Sequence, residues 1–247
     1  GQADQGQAGR AAVAAVTQTP RRALDRGPRH RAGDPMGLAD APSLEDFNRS
    51  VSEGDVTSGA IEHVLVLGAS IGGPDAIRSF LNELPKDFPA VVVLVQHLES
   101  GYFERLSQQL QKSSVLPVKV AQADTTAVSG EVLVIPASHR VKLEADGRLI
   151  FDPHPEPPRY TPSIDEVLHD VADRFGKRAT AIIFSGMAGD AVEGAAYLVS
   201  KGGEVWAQDP ESCVVSSMVD GARARGVVEF TGSPRELAQR CVAKFMR

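Results

Sequence analysis

Short apolar runs alternate with amphipathic stretches over most of the chain, and this alternation constrains the fold more than any other feature. The runs are rich in Val, Ile and Leu, as in parallel strands that are covered on both faces. They are Val64–Leu67, Val91–Val95, Val118–Val120, Val132–Ile135, Ile182–Phe184, Glu204–Ala207 and Val227–Phe230. The stretches between most of them repeat apolar residues at helical spacing. The sequence therefore predicts an α/β fold: a doubly wound, mostly parallel sheet with helices on both faces.

Two further elements are predicted from local patterns. Residues alternate between apolar and polar from Val141 to Phe151 around Asp146-Gly147, a dipeptide typical of a two-residue hairpin turn. This stretch is expected to form one antiparallel hairpin near residues 141–151. A helix is expected from Ser212 to Arg225.

The first 59 residues differ in composition from the rest of the chain. They consist mainly of Gly, Ala, Gln, Arg, Asp and Pro, and Phe47 is their only aromatic residue. Such a segment cannot bury enough apolar surface to offset the entropy lost on ordering. Residues 1–59 are therefore expected to be an interdomain linker or a fragment of a lost N-terminal domain, and residues 60–247 one domain. An arginine-rich arm for nucleic acid is the alternative, although acidic residues interrupt its arginines.

Charge and composition exclude several classes of protein. The chain of 247 residues has 32 acidic and 26 basic side chains and a net charge of −6, which disfavours binding to nucleic acid or to an anionic membrane. No apolar run approaches the roughly 20 residues that span a bilayer, and no signal-peptide pattern is present. Cys213 and Cys241 are too few for a disulfide framework or a zinc site. We expect a cytoplasmic protein without a metal or cofactor.

Three reactive side chains follow predicted strands: Ser70, His97 and Asp190. The carboxyl ends of parallel strands lie at one edge of a sheet, where ligands and catalytic groups collect. A serine, a histidine and an aspartate are the groups of a nucleophile, a general base and an orienting carboxylate. The sequence therefore indicates a hydrolase-type site at this edge.

The surroundings of Ser70 strengthen that interpretation. Gly68-x-Ser70-x-Gly72 matches a strand-to-helix turn that projects a nucleophilic hydroxyl, and Pro74 marks the start of the next helix. Free amides at that helix start could stabilise an oxyanion. Two alternatives remain open: a tight turn without chemistry, and a dinucleotide loop, which lacks the expected glycine spacing.

Other residues compete for the same roles. Asp209 also follows a predicted strand, so position alone does not separate it from Asp190, although the glycines around Asp190 favour it. His139 follows another strand and either lines the pocket or is solvated. His63 precedes its strand and is expected at the opposite edge. An imidazole is the natural base for a serine at neutral pH, which favours His97.

The chain resembles the catalytic domain of CheB-type protein-glutamate methylesterases from about Val64 to the C-terminus. The matching motifs are GASIGGP at 68–74, VQH at 95–97, IPASH at 135–139, PSID at 162–165, SGMAGDAVEG at 185–194 and AQDPESCVV at 207–215. The resemblance implies that Ser70 is the nucleophile, His97 the general base and acid, and Asp190 the orienting carboxylate. It also implies that Met187 lies in the pocket and that its amide is a candidate oxyanion donor, beside Ile71 and Gly72.

The resemblance implies hydrolysis of glutamyl methyl esters on the cytoplasmic helices of chemoreceptors, and in some members deamidation of glutamine. A receiver domain or a chemosensory kinase is an implied partner. The chain departs from the family where Ile71 replaces a common threonine, Ala191 a glycine and Thr161 an arginine. These changes leave the substrate preference open. The sequence identifies neither the receptor nor the oligomeric state. The alternative is a catalytically weak binding or scaffold module of a chemosensory or pilus-motility system.

Overall fold

The computed structural model describes residues 60–154 and 158–246 and contains a seven-stranded parallel sheet. The predicted linker, residues 1–59, lies outside the described residues, so that interpretation stays a prediction. The strands in chain order are β1 Val64–Ala69, β2 Val91–Gln96, β3 Val118–Val120, β4 Val132–Val134, β5 Arg140–Leu143, β6 Leu149–Asp152, β7 Ala179–Ile183, β8 Glu204–Gln208 and β9 Phe230–Gly232. The sheet has the order β3-β4-β2-β1-β7-β8-β9, and every neighbouring pair is parallel.

Six helices cover the two faces of the sheet within the described residues. They are α1 Gly73–Leu81, α2 Phe103–Gln111, α3 Ile164–Phe175, α4 Val192–Ser200, α5 Ser217–Ala224 and α6 Pro234–Phe245. Helices α1, α2 and α6 pack on one face, and α3, α4 and α5 pack on the other. Leu65 and Leu67 of β1 enter the first core, whereas Val64 and Val66 enter the second, because successive side chains of a strand alternate. The predicted fold class is confirmed.

Strands β5 and β6 form the expected antiparallel hairpin, with Val141 opposite Phe151. The prediction of a two-residue turn is wrong. The Glu144 amide donates to the Arg148 carbonyl (2.9 Å), so the loop contains the three residues 145–147. Gly147 adopts a positive φ of 87°, as the last residue of such a loop commonly does.

The segment from Ser212 to Arg225 is not one helix, so that prediction is also wrong. A short 3₁₀ turn covers Pro210–Ser212, and α5 begins at Ser217. The residues between them run over the end of β7, where the Ser185 hydroxyl accepts hydrogen bonds from the amides of Val214 and Val215 (3.1 Å each). This tertiary contact takes the amides that a continuous helix would need. The last strand is Phe230–Gly232, a few residues later than predicted.

None of the helices in residues 60–154 and 158–246 is long and apolar enough to cross a membrane.

Candidate active site

Strands β1 and β2 bring Ser70 and His97 to neighbouring positions at the carboxyl edge of the sheet. Ala69 pairs with Gln96, and the His97 amide donates to the Ala69 carbonyl (3.0 Å). The Gln96 side-chain amide donates to the carbonyls of Ser70 (2.8 Å) and His97 (3.1 Å) from a buried position. Strand register and one buried amide therefore fix the backbones of the serine and the histidine together.

The imidazole of His97 bonds to the carboxylate of Asp190. His97 Nε2 lies 2.9 Å from Asp190 Oδ2, and the Asp190 side chain is 1% exposed. The same Oδ2 accepts from the Ile164 amide (2.7 Å), while Oδ1 accepts from the amides of Asp165 (2.9 Å) and Ala191 (3.0 Å). Two of these amides belong to the first turn of α3, where free N–H groups favour an anion. The carboxylate therefore has four donors.

These contacts keep Asp190 ionised. Burial is the largest single influence on the pKa of Asp190 and raises it. The hydrogen bonds from His97 and from the three amides lower the pKa, and their combined effect exceeds that of burial. The net result is a pKa below the usual value of an aspartate. An ionised carboxylate only accepts hydrogen bonds, so Nε2 of His97 carries a proton in this pair. In the neutral ring, Nδ1 then holds the lone pair, and it can accept a proton from a nucleophile.

Asp165 is a second carboxylate beside this pair, and its environment differs. Its Oδ1 accepts from the Gly194 amide (2.6 Å). Burial raises the pKa of Asp165 to about 6, and the negative charges of Asp190 and Glu193 add to the rise, against the Gly194 hydrogen bond. The pKa of Asp165 is thus raised while the pKa of the neighbouring Asp190 is lowered.

The turn after Ser70 presents free amides. Gly72 has a φ of 79°, and a Cβ there would lie 2.6 Å from Val214 Cβ, so only glycine fits. Among the described residues, the amides of Ile71, Gly72 and Met187 have no hydrogen-bond acceptor. The Ser70 hydroxyl likewise has no partner there. Unpaired amides near a free hydroxyl are the arrangement in which an oxyanion would find donors.

The β7 loop, residues 184–191, reaches the serine directly. The Ser70 amide donates to the Ser185 carbonyl (3.0 Å), and a Cβ added to Gly186 would lie 2.8 Å from Ser70 Cβ. Ala191 ends this loop with a φ of 74°, in the left-handed region that favours glycine. Met187 and Ile71 have exposed side chains, 62% and 46% respectively. Both pocket candidates therefore lie at the surface of the carboxyl edge of the sheet, which forms the rim of the site.

Sequence reasoning missed Ser185. Its hydroxyl donates to the Ile71 carbonyl (2.7 Å) and accepts from the amides of Val214 and Val215, as described above. The side chain thus joins the turn after Ser70 to the β8 loop, residues 209–216. Its place directly after the strand run at Phe184, beside Gly186, was the available signal.

The competing residues lie apart from the His97–Asp190 pair. The Asp209 carboxylate caps the short 3₁₀ turn, where it accepts from the Glu211 amide (3.1 Å). His139 is exposed, contacts Phe151 at 5.9 Å between ring centroids, and makes no hydrogen bond or ring contact with Ser70, His97 or Asp190 in the described part of the chain. His63 precedes β1 and packs against Phe245 (5.3 Å). The pocket role of His139 stays a prediction.

Tyr160 is a second residue that sequence reasoning missed. Its ring stacks on His97 with 5.2 Å between centroids and 8° between planes, and its hydroxyl accepts from the Gly189 amide (3.1 Å). His97, Tyr102, Arg159 and Tyr160 are among the residues that line an open cleft of about 600 Å³. The cleft is large enough for a peptide side chain and reaches the imidazole.

No group of His, Cys, Asp and Glu in residues 60–154 and 158–246 has the arrangement of a metal site.

The fold and this edge of the sheet define an α/β protein that carries a serine, a histidine and an aspartate beyond the carboxyl ends of its parallel strands. Comparison with known proteins identifies the family, because residues 65–241 match the model of the CheB methylesterase family. The chain belongs to this family, as the resemblance of its motifs predicts.

A protein-glutamate methylesterase/protein-glutamine glutaminase of Burkholderia thailandensis is 32% identical over 189 residues, which cover 76% of this chain and 55% of that protein. One of Geobacter sulfurreducens is 33% identical over 208 residues, or 81% of this chain and 56% of that protein. The crystal structure of the Thermotoga maritima CheB methylesterase catalytic domain superposes with a TM-score of 0.70 at 29% identity and covers 73% of this chain and 97% of that one. The chain thus spans about half the length of these curated relatives.

Proposed function

We propose that this chain is a serine hydrolase that removes methyl esters from glutamyl side chains, with Ser70 as nucleophile, His97 as general base and acid, and Asp190 as orienting carboxylate. The observation that carries the proposal is the bond between His97 Nε2 and Asp190 Oδ2. His97 and Ser70 directly follow Gln96 and Ala69, which pair with each other in neighbouring strands, so this bond forms beside the serine. A tight turn without a catalytic role would not need an ionised carboxylate buried against an imidazole. The family match to residues 65–241 supports the same assignment.

In the first step, the Ser70 oxygen attacks the ester carbonyl while its proton passes to His97 Nδ1. Because Nε2 already donates to Asp190, the imidazolium that forms is stabilised by a carboxylate whose pKa is low. The negative charge on the carbonyl oxygen would be met by the free amides of Ile71, Gly72 and Met187.

Collapse of this intermediate expels methanol, which takes the proton back from His97 Nδ1, and leaves an acyl-enzyme on Ser70. Water then attacks the acyl group, His97 accepts the water's proton, and the glutamate carboxyl is released as the serine regains its hydrogen. A glutamine side chain would follow the same course with ammonia as the leaving group. The names of the relatives, which include protein-glutamine glutaminase, support this second reaction.

Methylated chemoreceptors are the proposed substrate, and the cytoplasm is the proposed location. The names of the relatives and the family support a protein substrate, and the open cleft beside His97 gives a side chain access to the imidazole. A receiver domain or a chemosensory kinase as regulatory partner stays a prediction.

The test is methanol release from a methylated receptor preparation. Ser70→Ala should lower the rate by at least about 10³-fold, because removal of a triad nucleophile costs up to about 10⁶-fold and leaves only the residual catalysis of the oxyanion donors and binding. Ser79→Ala is the matched control, because Ser79 is an exposed serine of α1 whose hydroxyl donates to the backbone carbonyl of Asp75 (3.0 Å). It should keep the rate of the unchanged protein.

Equal methanol release from Ser70→Ala and from the unchanged protein would reject the proposal. If neither releases methanol, Ser70 does not react with a serine-directed phosphonate, and a receptor is still bound, then the binding or scaffold module is the better assignment.

A further inference from the structure

The start of α3 and the segment before it contact both members of the His97–Asp190 pair. The backbone amides of Ile164 and Asp165, in the first turn of α3, hold the carboxylate, as described above. Tyr160, four residues earlier, contacts the imidazole and the β7 loop. These contacts come from a stretch that follows the hairpin and lies far from both residues in sequence.

The two partners are held unequally. Asp190 is fixed by three backbone amides and is 1% exposed. Within residues 60–154 and 158–246 the side chain of His97 has one hydrogen bond, and one bond leaves an imidazole free to tilt about the axis between its Cβ and its hydrogen-bonded nitrogen. The Tyr160 ring lies flat against the imidazole, 8° from parallel, and blocks that motion on one face.

The hydroxyl of Tyr160 has a separate role. It accepts from the Gly189 amide (3.1 Å), one residue before Asp190 and two after Met187. The Arg159 guanidinium lies 5.4 Å from the centre of the same ring. The tyrosine thus has its ring against the histidine and its oxygen on the loop that carries the carboxylate.

We propose that Tyr160 is a positioning residue, which sets the plane of the His97 imidazole by stacking and anchors the β7 loop by its hydroxyl. This inference rests on the proposed function, because the position of Nδ1 matters only if His97 moves a proton. It predicts that Tyr160 acts on the chemical step rather than on substrate binding.

The experiment compares Tyr160→Leu and Tyr160→Phe. Tyr160→Leu removes the stack and the hydroxyl, and kcat for methanol release should fall by about 10–100-fold, because small misplacements of catalytic groups have effects of this size. The rate at which a small serine-directed phosphonate labels Ser70 should fall by a similar factor, while KM stays within about threefold. Tyr160→Phe keeps the stack and should lower kcat by about 2–10-fold, the worth of one hydrogen bond.

The chain contains a matched control. Tyr197 stacks on His169 with 4.2 Å between centroids, and its hydroxyl donates to Asp173 (2.7 Å), on helices α3 and α4. Tyr197→Leu removes an equivalent stack and hydrogen bond away from the rim. It should leave kcat and phosphonate labelling unchanged, whatever it does to thermal stability.

A spectroscopic readout separates this inference from the proposed function. The ring N–H that His97 donates to Asp190 should give a downfield proton resonance, assigned by its loss in His97→Gln. The resonance should persist in Tyr160→Phe and in Tyr197→Leu but broaden or vanish in Tyr160→Leu, even if methanol release fails altogether.

A resonance as sharp in Tyr160→Leu as in the unchanged protein would overturn the inference. So would a higher KM with unchanged kcat and labelling rate, since that pattern describes a wall of the substrate cleft. If Tyr160→Leu does not fold, the kcat of Tyr160→Phe decides, and an unchanged value overturns the proposal.

Discussion

The β7 and β8 loops start at the same edge of the sheet, and each contains an aspartate, yet the two carboxylates do different work. Asp190 is buried and receives four hydrogen bonds, one of them from His97. Asp209 is partly exposed and caps a 3₁₀ turn of three residues. The difference lies in the donors: the first turn of α3 donates to Asp190, whereas the Asp209 carboxylate accepts from the Glu211 amide of its own 3₁₀ turn. Position at a strand end brings a residue to the rim, and neighbouring elements decide what it does there.

The strongest test of this contrast is the pair Asp190→Asn and Asp209→Asn. Asp190→Asn would place an N–H₂ group among four donors, so His97 would lose its orientation and its tautomer. Methanol release should fall by about 10³–10⁴-fold. Asp209→Asn keeps an oxygen acceptor for the Glu211 amide and should stay within about twofold. Similar losses in both variants would show that the two loops do not differ as described.

The second test compares stability rather than activity. Asp190→Ala leaves the buried amides of Ile164, Asp165 and Ala191 without their acceptor, and the free energy of unfolding should fall by about 3–5 kcal/mol. Asp209→Ala removes one cap at an exposed turn and should cost about 1 kcal/mol or less. Urea denaturation of both variants measures the difference. Equal midpoints would mean that the hydrogen bonds to Asp190 contribute no more than a surface cap.

The smallest effect is expected at Asp165, which lies beside Asp190 but has fewer donors. A raised carboxyl pKa means that the folded state binds a proton more tightly than the unfolded state, so stability is lost as pH rises through about 6. Asp190 has the opposite sign: its contribution is present at neutral pH and is lost as pH falls through its lowered pKa.

Asp165→Asn removes the charge and keeps an oxygen for the Gly194 amide. It should therefore stabilise the protein at neutral pH, and the gain should grow between about pH 4 and pH 7. Thermal melts across this range test it. A gain that does not vary with pH would show that the charge of Asp165 is not what destabilises the fold.

The sheet and the positions of Ser70 and His97 at its edge could be predicted because both depend on local composition. Strand runs such as Val91–Val95 are apolar throughout, and parallel strands end at one edge, so Ser70 and His97 follow from the pattern alone. Asp190 and Asp209 could not be separated by position, because their donors come from elsewhere in the chain.

Contacts between distant segments explain what the sequence did not reveal. Tyr160 belongs to none of the quoted motifs and Ser185 only begins one, and the partners that matter here lie 29 or more residues away. The segment before α5 has helix-compatible residues, and only its bonds to Ser185 show why the helix starts later. In the hairpin, Asp146-Gly147 indicated a turn, but the pairing of Glu144 with Arg148 decided its length.

The hydroxyl of Ser185 holds two separate loops of the rim together by hydrogen bonds. It bonds the carbonyl of Ile71, next to Ser70, and the amide of Val214, a residue that is 71% exposed. A single oxygen atom thus ties the solvent-exposed margin of the β8 loop to the backbone beside Ser70.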